Sequence, residues 1–279
     1  MPELPEVETV CRNLNVIIPK NSKILNWTFW RKDLRFPIPI KKLENLKSKK
    51  LSKIYRRAKY IIFEFENSLM ISHLGMTGQW RLENTVMAKF QPQKHDHVAF
   101  EFQKNQWLIY NDPRRFGFIQ WVLISDKLKY FHNTGLEPVD ITVDLNDINP
   151  VFKKLKTNIK SALMNQKYVV GVGNIYASEA LFRAGINPLK LCPKVTEAQY
   201  QKLWIQVRDI LNQAIHSGGS TIKDYRNSND ESGQFQNLFL VYGKEGHICS
   251  VCRAKNLKTK ISNIKISGRA TYYCKTCQR

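Results

Sequence analysis

The feature that most constrains this chain lies near its end, where Cys249-x2-Cys252 and Cys274-x2-Cys277 stand 21 residues apart. Two such pairs supply four thiolates, the donor set of a closed, tetrahedral structural zinc site with no open position for catalysis. The gap slightly exceeds the common range of about 15–20 residues, and two free or redox dithiols are the competing reading. Cys11 and Cys192 stand alone, so the grouping argues for metal rather than a disulfide framework. Between the pairs lie Lys255, Lys258, Lys260, Lys265 and Arg269 with no acid, while Ile261, Ile264 and Ile266 supply strand residues. The segment predicts a metal-stapled β-hairpin that presents cations to a polyanion.

The basic excess is general but uneven. Formal net charge is +21; residues 1–150 hold 23 basic and 16 acidic residues, and residues 151–279 hold 21 and 7. The second part is therefore the better grip for a phosphate backbone, although a merely cationic surface explains the same count. Glu3, Glu6 and Glu8 are incompatible with a secretory leader, and no apolar run approaches the ~20 residues that span a bilayer. A cytoplasmic, nucleoid-associated protein without a membrane role is expected.

Apolar residues at Val7, Val10, Cys11, Leu14, Ile17 and Ile18 recur at helical spacing, so a helix begins almost at the first residue. From about 22 to 124 the pattern changes to short runs such as Tyr60–Phe65, Val98–Phe102, Trp107–Tyr110 and Phe116–Val122 between turn residues, which reads as a β-sandwich. The polar, weakly periodic segment 133–150 reads as a linker. Helices are expected over 151–164, 174–184 and 196–216, followed by an irregular Ser/Asn/Asp/Gly stretch at 217–234.

Four motifs bear on chemistry, and each has a bland alternative. Gly171-Val-Gly173-Asn174 enters a helix whose first N–H groups suit a phosphate; taken alone, an ordinary helix entry with Asn174 as the cap is the better reading. Asp112-Pro-Arg114-Arg115-Phe116-Gly sets two guanidiniums beside an aromatic, fit to enter a duplex or simply to form a surface turn. In His73-Leu-Gly-Met76 the methionine is a wedge or a packing residue. Finally, removal of Met1 would leave Pro2 as a secondary amine with an ordinary pKa of about 7.7–8. Such an amine attacks a sugar C1′ to give an iminium directly, with Glu3 beside it for proton transfer, yet Pro and Glu also belong in any first helical turn.

Taken together, Pro2-Glu3-Leu-Pro-Glu6-Val-Glu8-Thr, Arg56-Arg57-Ala-Lys59-Tyr, His73-Leu-Gly-Met76-Thr-Gly, Lys94-His95-Asp-His97, the Asp112 and Gly171 blocks, and Gly268-Arg269-Ala-Thr before Cys274 resemble the formamidopyrimidine-DNA glycosylase family across the whole chain. The resemblance implies an α+β protein: an N-terminal β-sandwich with an N-terminal helix over 1–132, a linker at 133–150, a helix-two-turn-helix domain over 151–240 and a zinc β-hairpin over 241–279. It implies a monomer that holds duplex DNA between its domains, removes oxidised purines and cuts the strand. By the same resemblance Pro2 is the Schiff-base nucleophile, Glu3 the general acid/base, and Lys59 and Arg269 assist catalysis. Met76, Arg114 and Phe116 fill the void left by the everted base. His95, Lys156 and Asn174 contact phosphates, Glu6 and Glu179 are buried supports, and Ser220, Thr221, Lys223 and Tyr225 lie in a loop over the lesion.

This chain departs from the family pattern in its longer cysteine gap, in its high basic excess and in Asn165, where the family commonly has Asp. An endonuclease VIII-like glycosylase for oxidised pyrimidines and a non-catalytic zinc nucleic-acid-binding protein are the rival readings; Leu4 and the Arg-Arg-Phe block favour the purine-directed branch.

Overall fold

The structure, a computed structural model, describes residues 1–220 and 233–279. It divides into two compact units, Met1–His132 with Ser217–Gln234, and Asn133–His216 with Phe235–Arg279.

In the first unit, helix α1 (Leu4–Ile17) starts where it does because Glu3 and Glu6 cap it reciprocally: the Glu3 side chain accepts the Glu6 N–H, and Glu6 Oε2 accepts the Glu3 N–H at 2.8 Å. Pro5 fits the first turn, where no helical donor is needed. Strands follow as β1 (Asn26–Phe29), β2 (Leu51–Arg57), β3 (Tyr60–Phe65), β4 (Ser68–His73), β5 (Gln79–Asn84), β6 (Asp96–Gln103), β7 (Gln106–Asn111) and β8 (Phe118–Leu123), with short helices α2 (Ile40–Glu44) and α3 (Lys127–Phe131). They form two four-stranded antiparallel sheets, ordered β1-β6-β7-β5 and β2-β3-β4-β8.

Alternation decides which side chains meet. Ile61, Phe63 and Phe65 of β3 join one core with Val98, Phe100 and Phe102 of β6 and with Val7, Val10 and Leu14 of α1, whereas Ile62 lies in a separate cluster on the opposite face. Phe63 meets Trp80 and Phe100 of the other sheet edge-on, with centroids 5.8 and 5.9 Å apart.

The second unit is mainly helical: α4 (Asn149–Lys153), α5 (Ile159–Leu163), α6 (Asn174–Ala184), α7 (Glu197–His216) and α8 (Ser250–Arg253), then a hairpin of β9 (Ser262–Ile266) and β10 (Arg269–Tyr273). Long α7 buries Tyr200, Leu203, Trp204, Val207, Ile210, Leu211, Ala214 and Ile215 at helical spacing.

Three organisational expectations change. The helix expected over 151–164 is broken, because the Asn158 side chain accepts the Ser161 N–H at 2.9 Å and starts α5 afresh. The segment 133–150, expected as a linker, is bonded into the second unit: Leu136 N–H donates to Tyr168 O at 2.8 Å, and Arg208 donates to the carbonyls of Pro138 and Val143 at 3.0 and 2.7 Å. Low apolar periodicity hides such backbone pairing. Residues 217–220 and 233–234, expected within the 151–240 domain, group with the first unit instead, where Ser220 bonds Glu6.

Fully buried Glu179 on α6 organises the approach to the cysteine segment: Oε1 accepts the N–H groups of Val241 and Tyr242 at 2.8 and 2.7 Å, and Oε2 accepts that of Leu240 at 2.9 Å. Glu179→Gln turns one acceptor into a donor facing an N–H. Its expected cost is about 3 kcal/mol in urea unfolding of the whole chain; a loss below about 1 kcal/mol would contradict this role.

Candidate active site and nucleic-acid contacts

The first residues are enclosed by the fold. Pro2 is buried, Glu3 and Glu6 are 3% and 2% exposed, and Lys59 is 6% exposed. Glu6 spends both carboxylate oxygens: Oε2 holds the Glu3 N–H, while Oε1 accepts the backbone N–H and hydroxyl of Ser220 at 2.8 and 2.9 Å. Lys59 sits in the two-residue turn between β2 and β3, after Ala58 at φ +54. A left-handed alanine costs roughly 1–2 kcal/mol, so the turn stores strain next to the lysine.

Burial lowers the terminal amine of Met1 below its ordinary value of 8.0; Glu3 and Glu6 oppose the shift, and Lys59 and Arg114 reinforce it. A cationic lysine close to a desolvated amine favours the neutral, nucleophilic form of that amine.

Sequence reasoning gave no role to His73, which borders this site. Its ring stacks on Phe118 at 5.2 Å and lies 5.3 Å from Tyr60, and Nδ1 accepts the Gly75 N–H at 3.0 Å. Burial first, then Lys59 and Arg35, hold its pKa down at about 4. The ring is therefore neutral at pH 7, with its proton on Nε2.

Met76, Arg114 and Phe116 come from neighbouring loops of this unit. Met76 is half-buried, Arg114 and Phe116 are exposed, and the Arg114 guanidinium lies 4.6 Å above the Phe116 ring. Half-buried His95 uses its carbonyl to hold the Asp112 N–H at 3.0 Å.

In the second unit, Asn174 does not cap α6. Gly173 is the cap, and the Asn174 side chain instead donates to Ala270 O at 2.9 Å and accepts from Lys160 Nζ at 2.6 Å. Lys160, 1% exposed, also reaches Thr271 Oγ1 at 2.6 Å, so one buried ammonium joins α5, the start of α6 and β10. Sequence reasoning chose exposed Lys156; the apolar spacing around Ile159, Ala162 and Leu163 was the available signal that position 160 is enclosed. Arg269 is exposed, directly after the Ser267-Gly268 turn of the hairpin. Of the loop residues, Ser220 is described, whereas Thr221, Lys223 and Tyr225 lie outside the described residues.

The four late cysteines converge. Their Sγ atoms lie within 4.8 Å of one another, with separations of 3.8, 3.6 and 3.5 Å for 249–277, 252–274 and 252–277. A tetrahedral ion with metal–sulfur bonds of about 2.3 Å needs sulfurs about 3.8 Å apart. The four cysteines fit one closed metal site, and the β9–β10 hairpin takes up most of the long gap between Cys252 and Cys274.

The model of the formamidopyrimidine-DNA glycosylase N-terminal domain matches residues 1–119, and that of the same enzyme's H2TH domain matches residues 134–226. The formamidopyrimidine-DNA glycosylase of Wolbachia pipientis subsp. Culex pipiens is 45% identical over the full length of both chains. This chain belongs to the formamidopyrimidine-DNA glycosylase family. Among solved structures, a Lactococcus lactis Fpg bound to DNA containing an abasic site shares 35% identity at a TM-score of 0.89, covering 99% of each chain. A MutM bound to DNA containing carbocyclic 8-oxo-G shares 36% identity at a TM-score of 0.88, covering 100% of each.

Asn165, the departure from the formamidopyrimidine-DNA glycosylase pattern, closes its own turn: Oδ1 accepts the Lys167 N–H at 3.1 Å, an acceptor role that amide and carboxylate fill alike. Among the described residues, no helix is long and apolar enough to cross a membrane.

The depressed His73 pKa has a stability consequence. The unfolded ring binds a proton near pH 6.5 and the folded ring only near 4, so its contribution is complete above pH 6.5 and falls away as pH drops toward 4. Between pH 7.5 and 5 the loss from this group is about 2 kcal/mol. Urea unfolding of wild type and His73→Gln at both values tests this; an equal pH dependence for the two would refute it.

Proposed function

We propose that this enzyme removes oxidised purines such as 8-oxoguanine and formamidopyrimidines from duplex DNA through a Schiff base on Pro2, then cleaves the strand by β,δ-elimination. The observation that carries the reading is the enclosed start of the chain, with Pro2, Glu3 and Lys59 all buried. The relatives bound to abasic and 8-oxo-G DNA support the substrate class.

Once Met1 is removed, the Pro2 nitrogen attacks C1′ of the damaged nucleotide. The sugar–base bond breaks and the base leaves with its electron pair and a proton; the C1′–O4′ bond then opens, O4′ takes up a proton, and an open-chain sugar is left joined to the proline nitrogen as an iminium. Glu3 donates and recovers protons at the sugar, and Lys59 favours the neutral amine. Loss of a C2′ proton expels the 3′-phosphate, a second elimination expels the 5′-phosphate, and water releases Pro2. Met76, Arg114 and Phe116 occupy the space of the everted base, offsetting an eversion cost of a few kcal/mol. His95, Lys156 and Asn174 serve phosphate contacts in their own units, Arg269 grips phosphates and assists elimination, and Ser220 with Thr221, Lys223 and Tyr225 belongs to the lesion loop.

Borohydride on an 8-oxoguanine duplex should trap a covalent complex at residue 2 of a chain lacking Met1, by mass spectrometry. A retained Met1 or an N-terminal tag makes that nitrogen an amide, and base release and trapping should both collapse while DNA binding persists; full activity of the tagged protein, or a link at Lys59, would overturn the assignment.

The four thiolates hold one structural Zn2+, which fixes the hairpin bearing Arg269. Cys274→Ser should lose the metal and weaken DNA binding at least tenfold, roughly 1.4 kcal/mol, without unfolding the first unit. Zinc content by elemental analysis beside affinity by fluorescence anisotropy reads this out, and unchanged values for both would refute it.

A further inference from the structure

Asp112 lies among the polar residues of the first unit with no exposure at all, and neither its charge nor its place is spent on the steps above. Its carboxylate binds two loops at once: Oδ1 accepts the Thr77 hydroxyl at 2.5 Å, and Oδ2 accepts the Gly117 N–H at 2.8 Å. Thr77 Oγ1 in turn accepts the Arg114 N–H at 3.2 Å, so the chain of bonds runs from the loop of Met76, through Asp112, to both ends of the Arg114–Gly117 turn. The Asp112 backbone is held as firmly, because its N–H donates to His95 O at 3.0 Å and its carbonyl accepts the His97 ring at 2.8 Å and the Arg115 N–H at 3.2 Å.

The two loops also touch backbone to backbone. A Cβ on Gly75, at φ +61, would lie 2.4 Å from Gly117 N and Phe116 C, and one on Gly117 would lie 1.8 Å from the Tyr110 hydroxyl. Only glycine permits this approach. Arg115, between Arg114 and Phe116, takes φ +56, a strained conformation for a non-glycine residue, in the turn whose Arg114 guanidinium lies over the Phe116 ring.

We propose that Asp112 is a positioning residue that clasps the 74–78 and 112–117 loops and so presents Met76, Arg114 and Phe116 as one pre-formed, void-filling unit. The proposal rests on the reading that these three side chains occupy the space of the everted base. A buried carboxylate with directed donors suits this task because leaving either oxygen unpaired is costly, so the loops move together or not at all.

The test separates eversion from chemistry. In single-turnover assays Asp112→Asn and Thr77→Val should lower base release from 8-oxoguanine paired with cytosine by tenfold or more, about the effect of a sub-ångström misplacement. Cleavage at a pre-formed abasic site, which has no base to evert, should stay within about twofold. Thr77→Ser, which keeps the hydroxyl, should restore base release. Thr77→Val guards against a folding defect in Asp112→Asn, with thermal midpoints measured for all.

Full base release in Thr77→Val, or a parallel fall of both activities without rescue by Thr77→Ser, overturns the proposal. Arg114→Ala and Phe116→Ala serve as comparators. If they too leave base release unchanged, the void-filling reading falls and takes the proposal with it; if they lower it while Thr77→Val does not, the proposal alone falls.

Discussion

A buried carboxylate survives in a protein only when its oxygens are filled by donors, and this fold applies that constraint repeatedly. Glu6, Asp112 and Glu179 are each 2% exposed or less, and each accepts at least one backbone N–H: Glu6 from Ser220 and Glu179 from Leu240, Val241 and Tyr242, far along the chain, and Asp112 from nearby Gly117 together with the hydroxyl of distant Thr77. Backbone donors cannot rotate away as a long cationic side chain can, so these anions fix the path of the chain itself. In a molecule with formal charge +21, the acids that matter most are inside.

Lys160 is the converse case. Its ammonium is satisfied by neutral oxygens of Asn174 and Thr271 and lies 3.4 Å from Ala270 O. Desolvating an ammonium is costly, and the offset here comes from short, charge-assisted bonds that hold the start of α6 against the β9–β10 hairpin. The exposed cations around the hairpin remain available to a polyanion, with an affinity that salt weakens.

What the sequence made legible was local. Helix α6 spans Asn174–Ala184 and β3 spans Tyr60–Phe65, as their apolar periods predict, and the cysteine spacing announced four converging thiolates. What stayed hidden depends on partners far along the chain. The cap of α6 was assigned to Asn174 because asparagine prefers that position, but Lys160 and Ala270, 14 and 96 residues away, claim its side chain. The 133–150 segment looked like a linker because its order comes from backbone bonds and from Arg208 rather than from apolar periodicity. Asp112 was visible only as part of a motif, since burial and bond direction have no signature in one sequence.

The enclosure of the chain's first residues also sets an order of events during synthesis. The groups that close around residues 2 and 3 arrive late: Lys59 must be made first, and Ser220 only after most of the chain. At roughly 5–20 residues per second, Ser220 leaves the ribosome's catalytic centre about 10–40 s after initiation. Until then Glu6 lacks two of the donors that fill it in the finished fold. The N-terminal residues thus lack part of their enclosure for that interval, and synthesis of the segment bearing Ser220 ends it.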